Sequence, residues 1–171
     1  MERIWSPWRI QYIRSPEPAG CIFCDKPKEL KDEANHILFH GHYNFVIMNA
    51  FPYNPGHLLV VPYRHIGVLE DMTEEERNEH YRIVSRWVGV LRAVTGTANF
   101  NIGMNLGRVA GAGIADHIHT HIVPRWNGDN NFMPVIGETR VISESMADIY
   151  RKLLQGLSLK ESPCKGSPSG V

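Results

Sequence analysis

With 171 residues, 43% of them hydrophobic and 21% charged, the chain has apolar material for one core and too little length for two ordinary domains. Its 18 Lys+Arg balance 18 Asp+Glu, so the bulk charge offers no surface for nucleic acid or an anionic membrane, and a polyanionic ligand must be held locally. The N-terminus lacks an apolar signal core and no stretch reaches the length of a membrane helix, which points to a soluble, cytoplasmic protein with neither nucleic-acid nor membrane partners.

Residues 1–34 read as an irregular, anchored extension. Trp5, Trp8 and Tyr12 stand among prolines and are expected to pack on the body of the protein. Three cysteines cannot all pair, and Cys21-Ile22-Phe23-Cys24 has the spacing of a metal half-site. On spacing alone a chance pair in a loop is an equal reading, and Cys164, isolated in a polar segment, is incidental.

Short strand-like runs follow at 37–39, 44–49 and 57–62, the last two joined by the turn-forming Phe51-Pro52-Tyr53-Asn54-Pro55-Gly56. Thr73-Glu74-Glu75-Glu76 has the form of a capping box and opens a helix. Tyr81, Val84, Trp87, Val88, Leu91 and Val94 give that helix an apolar stripe, and Gly96 ends it. Phe100, Ile102 and Met104 alternate as a strand does, leading into a glycine-rich loop over 107–113. A further strand carries His117-Ile118-His119-Thr120-His121. A second helix is expected over 145–155, closed near Gly156, with a disordered tail over 158–171. Strands in hairpin-like succession around one long helix predict an α+β fold: a single domain over 35–157, with an antiparallel sheet of about five strands, the long helix packed on it and a C-terminal helix.

Because strand side chains alternate, His117, His119 and His121 share one face while Ile118 and Thr120 point away. A merely His-rich strand is the bland reading. The rival with chemistry is a metal shared by all three imidazoles, activating water. Upstream, the glycines of Asn105-Leu106-Gly107-Arg108-Val109-Ala110-Gly111-Ala112-Gly113 would let backbone N–H groups approach a phosphate.

This string, completed by Ile122-Val123, resembles the mark of the histidine triad (HIT) family, His-x-His-x-His followed by two apolar residues. Asn49 through Pro55-Gly56-His57-Leu58-Leu59-Val60-Val61-Pro62 is similar to that family's substrate-binding strand pair. Trp5-Ser6-Pro7-Trp8-Arg9, Pro124-Arg125-Trp126 and Asn131-Phe132 look most like its bacterial and archaeal diadenosine tetraphosphate phosphorylase branch. The resemblance implies attack by His119 on the α-phosphate of a nucleotide, giving a nucleotidyl-histidine that phosphate or water resolves. It further implies a backbone carbonyl, that of His117, on the second ring nitrogen of His119. His121 would donate a hydrogen bond to phosphate or the bridging oxygen, Asn49 would read the ribose, and His57 and Asn105 would lie near the nucleotide, with Gly107, Arg108, Gly111 and Gly113 around the phosphates.

The branch also implies a structural zinc on Cys21, Cys24, His65 and His117, no organic cofactor, and a homodimer that extends the sheet. Gly113-Ile114 depart from the Gln followed by Ser or Thr of many relatives, and Thr120 departs mildly from an apolar position. His36, His40, His42 and His80 match no role and read as surface or packing residues. Adenine nucleotides or dinucleoside polyphosphates are the expected ligands. A hydrolase of such dinucleotides or of nucleoside phosphoramidates, and a non-catalytic nucleotide-binding protein, are the alternatives.

Overall fold

A computed structural model describes residues 20–129 and 144–161. The first structured segment is a helical turn, α1 (Ile22–Asp25), extended by a 3-10 turn over Lys26–Lys28 and followed by a second short turn, α2 (Asp32–Asn35). Strands β1 (Ile37–His40), β2 (Asn44–Met48) and β3 (Leu58–Pro62) come next, then the long helix α3 (Glu74–Thr95). Strands β4 (Asn99–Met104) and β5 (Thr120–Arg125) and the helix α4 (Met146–Glu161) complete the described chain. The five strands form one sheet in the order β1-β2-β3-β5-β4, antiparallel at every pairing, so the expected α+β architecture is the one observed. Among the described residues no helix is long and apolar enough to cross a membrane.

The two faces of the sheet do different work. Val46, Met48, Leu58, Val60 and Ile122 turn towards α3 and α4, where they surround Trp87, which has no exposure at all. Phe45, Ile47, Leu59 and Val61 turn the other way and pack with Phe23 of α1. Alternation along each strand thus produces a helix-covered core and a second layer capped by the N-terminal segment.

Helix α3 begins where its sequence says it should. Thr73 accepts from the Glu76 amide, the Glu76 carboxylate accepts from the Thr73 amide, and Gly96 closes the helix at φ +71°. Its buried stripe, however, is Ile83, Val84, Trp87, Val90 and Leu91, whereas Tyr81 is 79% exposed. The residue before it, His80, is the one that faces the sheet. Helix α4 also departs from expectation, because it runs through Gly156 to Glu161 instead of closing there. A Cβ at Gly156 would lie 2.5 Å from Val94 Cγ2, so this glycine serves close approach of α4 to α3. Strand β5 starts only at Thr120, and His117 and His119 therefore precede it. The expected packing of Trp5, Trp8 and Tyr12, the Asn131-Phe132 pair, and the end of the tail lie outside the described residues.

Gly156→Leu should overpack the α3–α4 contact and lower stability by about 1–3 kcal/mol. Urea unfolding followed by far-UV circular dichroism measures this; an unchanged midpoint would mean that the helices are not in close contact there.

Candidate active site

The segment 117–122 threads between the two layers. Ile118 N–H donates to the Ile66 carbonyl at 2.8 Å and its side chain joins Ile66 and Met72. Thr120 points to the helix side, where His80 Nε2 stands 2.6 Å from its hydroxyl and His80 Nδ1 stands 2.8 Å from Asn44 Oδ1. The three triad imidazoles emerge on the opposite side, as alternation requires although only His121 lies within β5. The Phe23 ring is 5.4 Å from that of His117 and 5.0 Å from that of His119, and His119 and His121 are 4.9 Å apart.

Each triad ring has its nitrogens assigned by a neighbour. His117 Nε2–H donates to the Pro62 carbonyl at 2.8 Å, which leaves Nδ1 as its lone pair. His119 Nδ1–H donates to the His117 carbonyl at 2.9 Å, the contact the resemblance implied, and Nε2 is left as the lone pair. His121 Nδ1 stands 2.9 Å from His57 Nε2, while its own Nε2 is buried with no hydrogen-bond partner among the described residues. Both nitrogens of His117 are directed away from the other two triad rings, so the three imidazoles do not converge on a shared metal. Desolvation lowers the pKa of all three, to about 4 for His121, with the neighbouring His119 adding to the effect there. The hydrogen bond to the His117 carbonyl opposes that lowering for His119. A buried neutral imidazole with an available lone pair is chemically a nucleophile.

His117 belongs to a second cluster. Its Nδ1 is 3.2 Å from Cys21 Sγ and 3.6 Å from Cys24 Sγ, and His65 Nδ1 is 3.3 Å from Cys24 Sγ. The four ligand atoms all lie within 4.8 Å of one another. Bonds of about 2.0–2.3 Å in a tetrahedral zinc site place ligand atoms about 3.3–3.8 Å apart, so this set fits such an ion. Burial, and then hydrogen bonding to and charge from Cys21, push the Cys24 thiol up to about 11. Both sulfurs would ionise together only with a cation between them. The Asp116 carboxylate, 3.6 Å from His65 Nε2, lies on the outer side of the cluster.

The substrate candidates divide. His57 is 1% exposed and touches His121. Asn49 brings Nδ2 within 3.3 Å of His57 Nδ1 and accepts from the Phe51 amide through Oδ1 at 2.9 Å, so it also shapes the turn. Asn105 lines a cavity of about 250 Å³ beside His121, with Tyr53, Asn101 and Arg125. Gly107 and Gly111, at φ +82° and +93°, build the exposed loop that also carries Arg108 and Gly113. Two of its amides are engaged internally, Gly111 N–H on the Arg108 carbonyl and Ala112 N–H on that of Gly107, so fewer are available to an anion than the glycine count implies.

Sequence reasoning missed Phe23, Tyr53 and Arg125 as parts of this surface. Tyr53 stacks on His121 at 5.9 Å, and the turn-forming composition around it masks that role. Arg125 is fixed by a two-point ion pair with Asp129 and by Asn101.

A sheet of this order with alternating histidines beside a cysteine–histidine cluster defines a histidine triad protein, and the HIT domain model matches residues 31–128. The chain belongs to the HIT family. It is 38% identical over 162 residues to the AP-4-A phosphorylase of Mycobacterium tuberculosis, covering 90% of this chain and 83% of that one. It is 30% identical to the asymmetrical bis(5'-nucleosyl)-tetraphosphatase of Schizosaccharomyces pombe over 56% of this chain and 52% of the relative. Among solved structures, a Zn-bound histidine triad family protein from Mycobacterium smegmatis superposes with a TM-score of 0.69 at 26% identity, over 84% of this chain and 96% of its own.

Burial lowers His80, like His121, to about 4. Unfolded imidazoles take up protons near pH 6.5, so between about pH 6.5 and 4 the unfolded chain binds more protons and stability falls as the pH drops. Ring-resolved NMR should find both histidines neutral at about pH 5.5; a ring titrating near 6.5 would show that it is not buried as described.

Proposed function

We propose that this chain is a nucleotidyl-transferring enzyme that cleaves diadenosine tetraphosphate with orthophosphate. The observation that carries the reading is the His119 tautomer: with Nδ1–H held by the His117 carbonyl, Nε2 is left as a lone pair on the sheet face away from α3. In the first half-reaction the Nε2–Pα bond forms as the Pα–O bond to the leaving chain breaks, its electron pair departing with ATP. In the second, an oxygen of orthophosphate takes the place of the leaving oxygen, the Nε2–Pα bond breaks, and ADP is released. The likeness to the mycobacterial phosphorylase supports phosphate as acceptor, and the cavity beside His121 supports room for it.

The same reading includes a structural zinc on Cys21, Cys24, His65 and His117, supported by the fit of the four donor atoms. A closed Cys₂His₂ set would tie the α1 segment to the sheet and supply no chemistry of its own. His117 would then hold the ion through Nδ1 while its carbonyl orients His119. We further propose a homodimer formed along β4, an edge strand whose Ile102 is 50% exposed.

With labelled orthophosphate and diadenosine tetraphosphate, label should enter ADP, and His119→Ala should abolish turnover with nucleotide binding retained. Equal rates without phosphate, yielding AMP and ATP, would make the enzyme a hydrolase, and a loss of less than about tenfold in kcat would exclude the nucleotidyl-histidine.

Elemental analysis should find close to one zinc per chain, and the double variant Cys21→Ser/Cys24→Ser should lose it together with thermal stability. Metal-free wild-type protein of unchanged melting temperature would count against the assignment.

A further inference from the structure

The four-donor cluster is anchored unequally. His117 has no exposure, its Nε2–H donates to the Pro62 carbonyl at 2.8 Å, and its ring lies edge-on to Phe23 at 5.4 Å. His65 stands opposite, in the chain that leaves β3, with a side chain that is 46% exposed. Its Nδ1 faces Cys24 Sγ at 3.3 Å and its ring meets that of His117 edge to face at 5.1 Å. Its remaining polar contact among the described residues is at Nε2, where Asp116 Oδ2 stands 3.6 Å away.

The backbone puts Asp116 there. Segments 62–67 and 116–118 run side by side, joined where His117 reaches the Pro62 carbonyl and where Ile118 N–H donates to the Ile66 carbonyl at 2.8 Å. Gly67 permits this approach, since a Cβ on it would lie 3.1 Å from Asp116 Cα and 3.2 Å from the Asp116 carbonyl oxygen. The Asp116 side chain is 74% exposed, and His65 is its one ion-pair or hydrogen-bond partner among the described residues. Nothing in the packing of the sheet calls for a carboxylate at this position.

An imidazole that gives the lone pair of one nitrogen to a metal carries its proton on the other. With Nδ1 turned to the cluster, His65 Nε2 is an N–H, and the group facing it is an acceptor with a full negative charge. A cation on Nδ1 withdraws electron density through the ring and makes that N–H a stronger donor, so the carboxylate attracts it most when the site is filled. Two of the four ligands are thus held from behind, His117 by a backbone carbonyl in the core and His65 by a side chain at the surface. A tetrahedral ion leaves only after a ligand swings off. Buried His117 has nowhere to go, whereas His65 has solvent beside it.

We infer that Asp116 is a positioning residue that holds His65 on the metal, and that the cluster exchanges its ion by opening at His65. This rests on the zinc assignment made above. Asp116 touches no donor sulfur and supplies no ligand; it acts through the orientation of one ring.

The test uses the full chain, loaded with zinc and mixed with a chromophoric chelator, which reads both the affinity and the rate of dissociation. Asp116→Ala should weaken zinc binding about 10-fold, most of it as faster dissociation. Asp116→Asn, which keeps an acceptor oxygen and loses the charge, should fall between the two. Asp25→Asn removes another acid whose charge reaches Cys24 but which does not face His65, and should change the affinity by less than about threefold. Saturated with cobalt(II), Asp116→Ala should show the visible bands of a tetrahedral thiolate–imidazole ion as the wild type does, so that the fold and all four ligands are seen to be in place.

An Asp116→Ala affinity within about threefold of the wild type, or an equal loss in Asp25→Asn, would overturn the positioning role. Loss of the tetrahedral bands at saturation would overturn it as well, because Asp116 would then build the site instead of steadying one arm. A weaker affinity carried wholly by slower binding would overturn the opening at His65. A wild-type chain that takes up neither zinc nor cobalt would remove the underlying assignment, a result distinct from tight wild-type binding beside an unaffected Asp116→Ala.

Discussion

An imidazole has two nitrogens and, when neutral, one proton, so whatever engages the first nitrogen decides the chemistry of the second. Here backbone groups make the first engagement each time: the Pro62 carbonyl on His117, the His117 carbonyl on His119 and the Tyr53 amide on His57. Backbone groups in or beside a paired sheet do not rotate to suit a reaction. The polarity of the site is consequently a property of the fold, present before substrate arrives, which is the condition under which electrostatic stabilisation needs no reorganisation.

The same segment is secured from below. Thr120 and His80 form a buried hydroxyl–imidazole contact that continues through Asn44 to the Glu79 carboxylate, which itself accepts the amides of His42, Tyr43 and Asn44. A buried neutral hydrogen bond contributes about 1 kcal/mol, whereas leaving one partner unsatisfied costs about 1–3 kcal/mol. The network therefore acts chiefly against misregistration: a slip of the 117–122 segment would strand several polar groups at once. Desolvation keeps His80 neutral, so the contact survives mild acid.

Much of this was legible in the sequence because the relevant patterns are local. The capping box at Thr73, the strand runs and the triad's alternation all depend on neighbours a few residues apart. The cysteine pair became a four-ligand set only through family resemblance, since His65 and His117 approach it across the fold. Tyr81 was misplaced because its neighbour His80, a polar residue, occupies the inward position that an apolar stripe would assign elsewhere. Gly156 was read as a stop signal, yet its role is steric and set by Val94 on another helix. The His57–His121 contact is a diagonal pairing between strands that are not consecutive, and no spacing in the chain announces it.

The Cys21–His117 contact spans 96 residues of chain. A metal bridge there, as proposed for the cluster, would restrict the unfolded ensemble more than a short link does. It also fixes an order of events. During synthesis the two cysteines emerge long before His117, and the ring that completes their cluster arrives only after the first four strands and the long helix have been made. The carbonyl that orients His119 is delivered in the same step, so the lone pair at His119 Nε2 is set only once four of the five strands have been made.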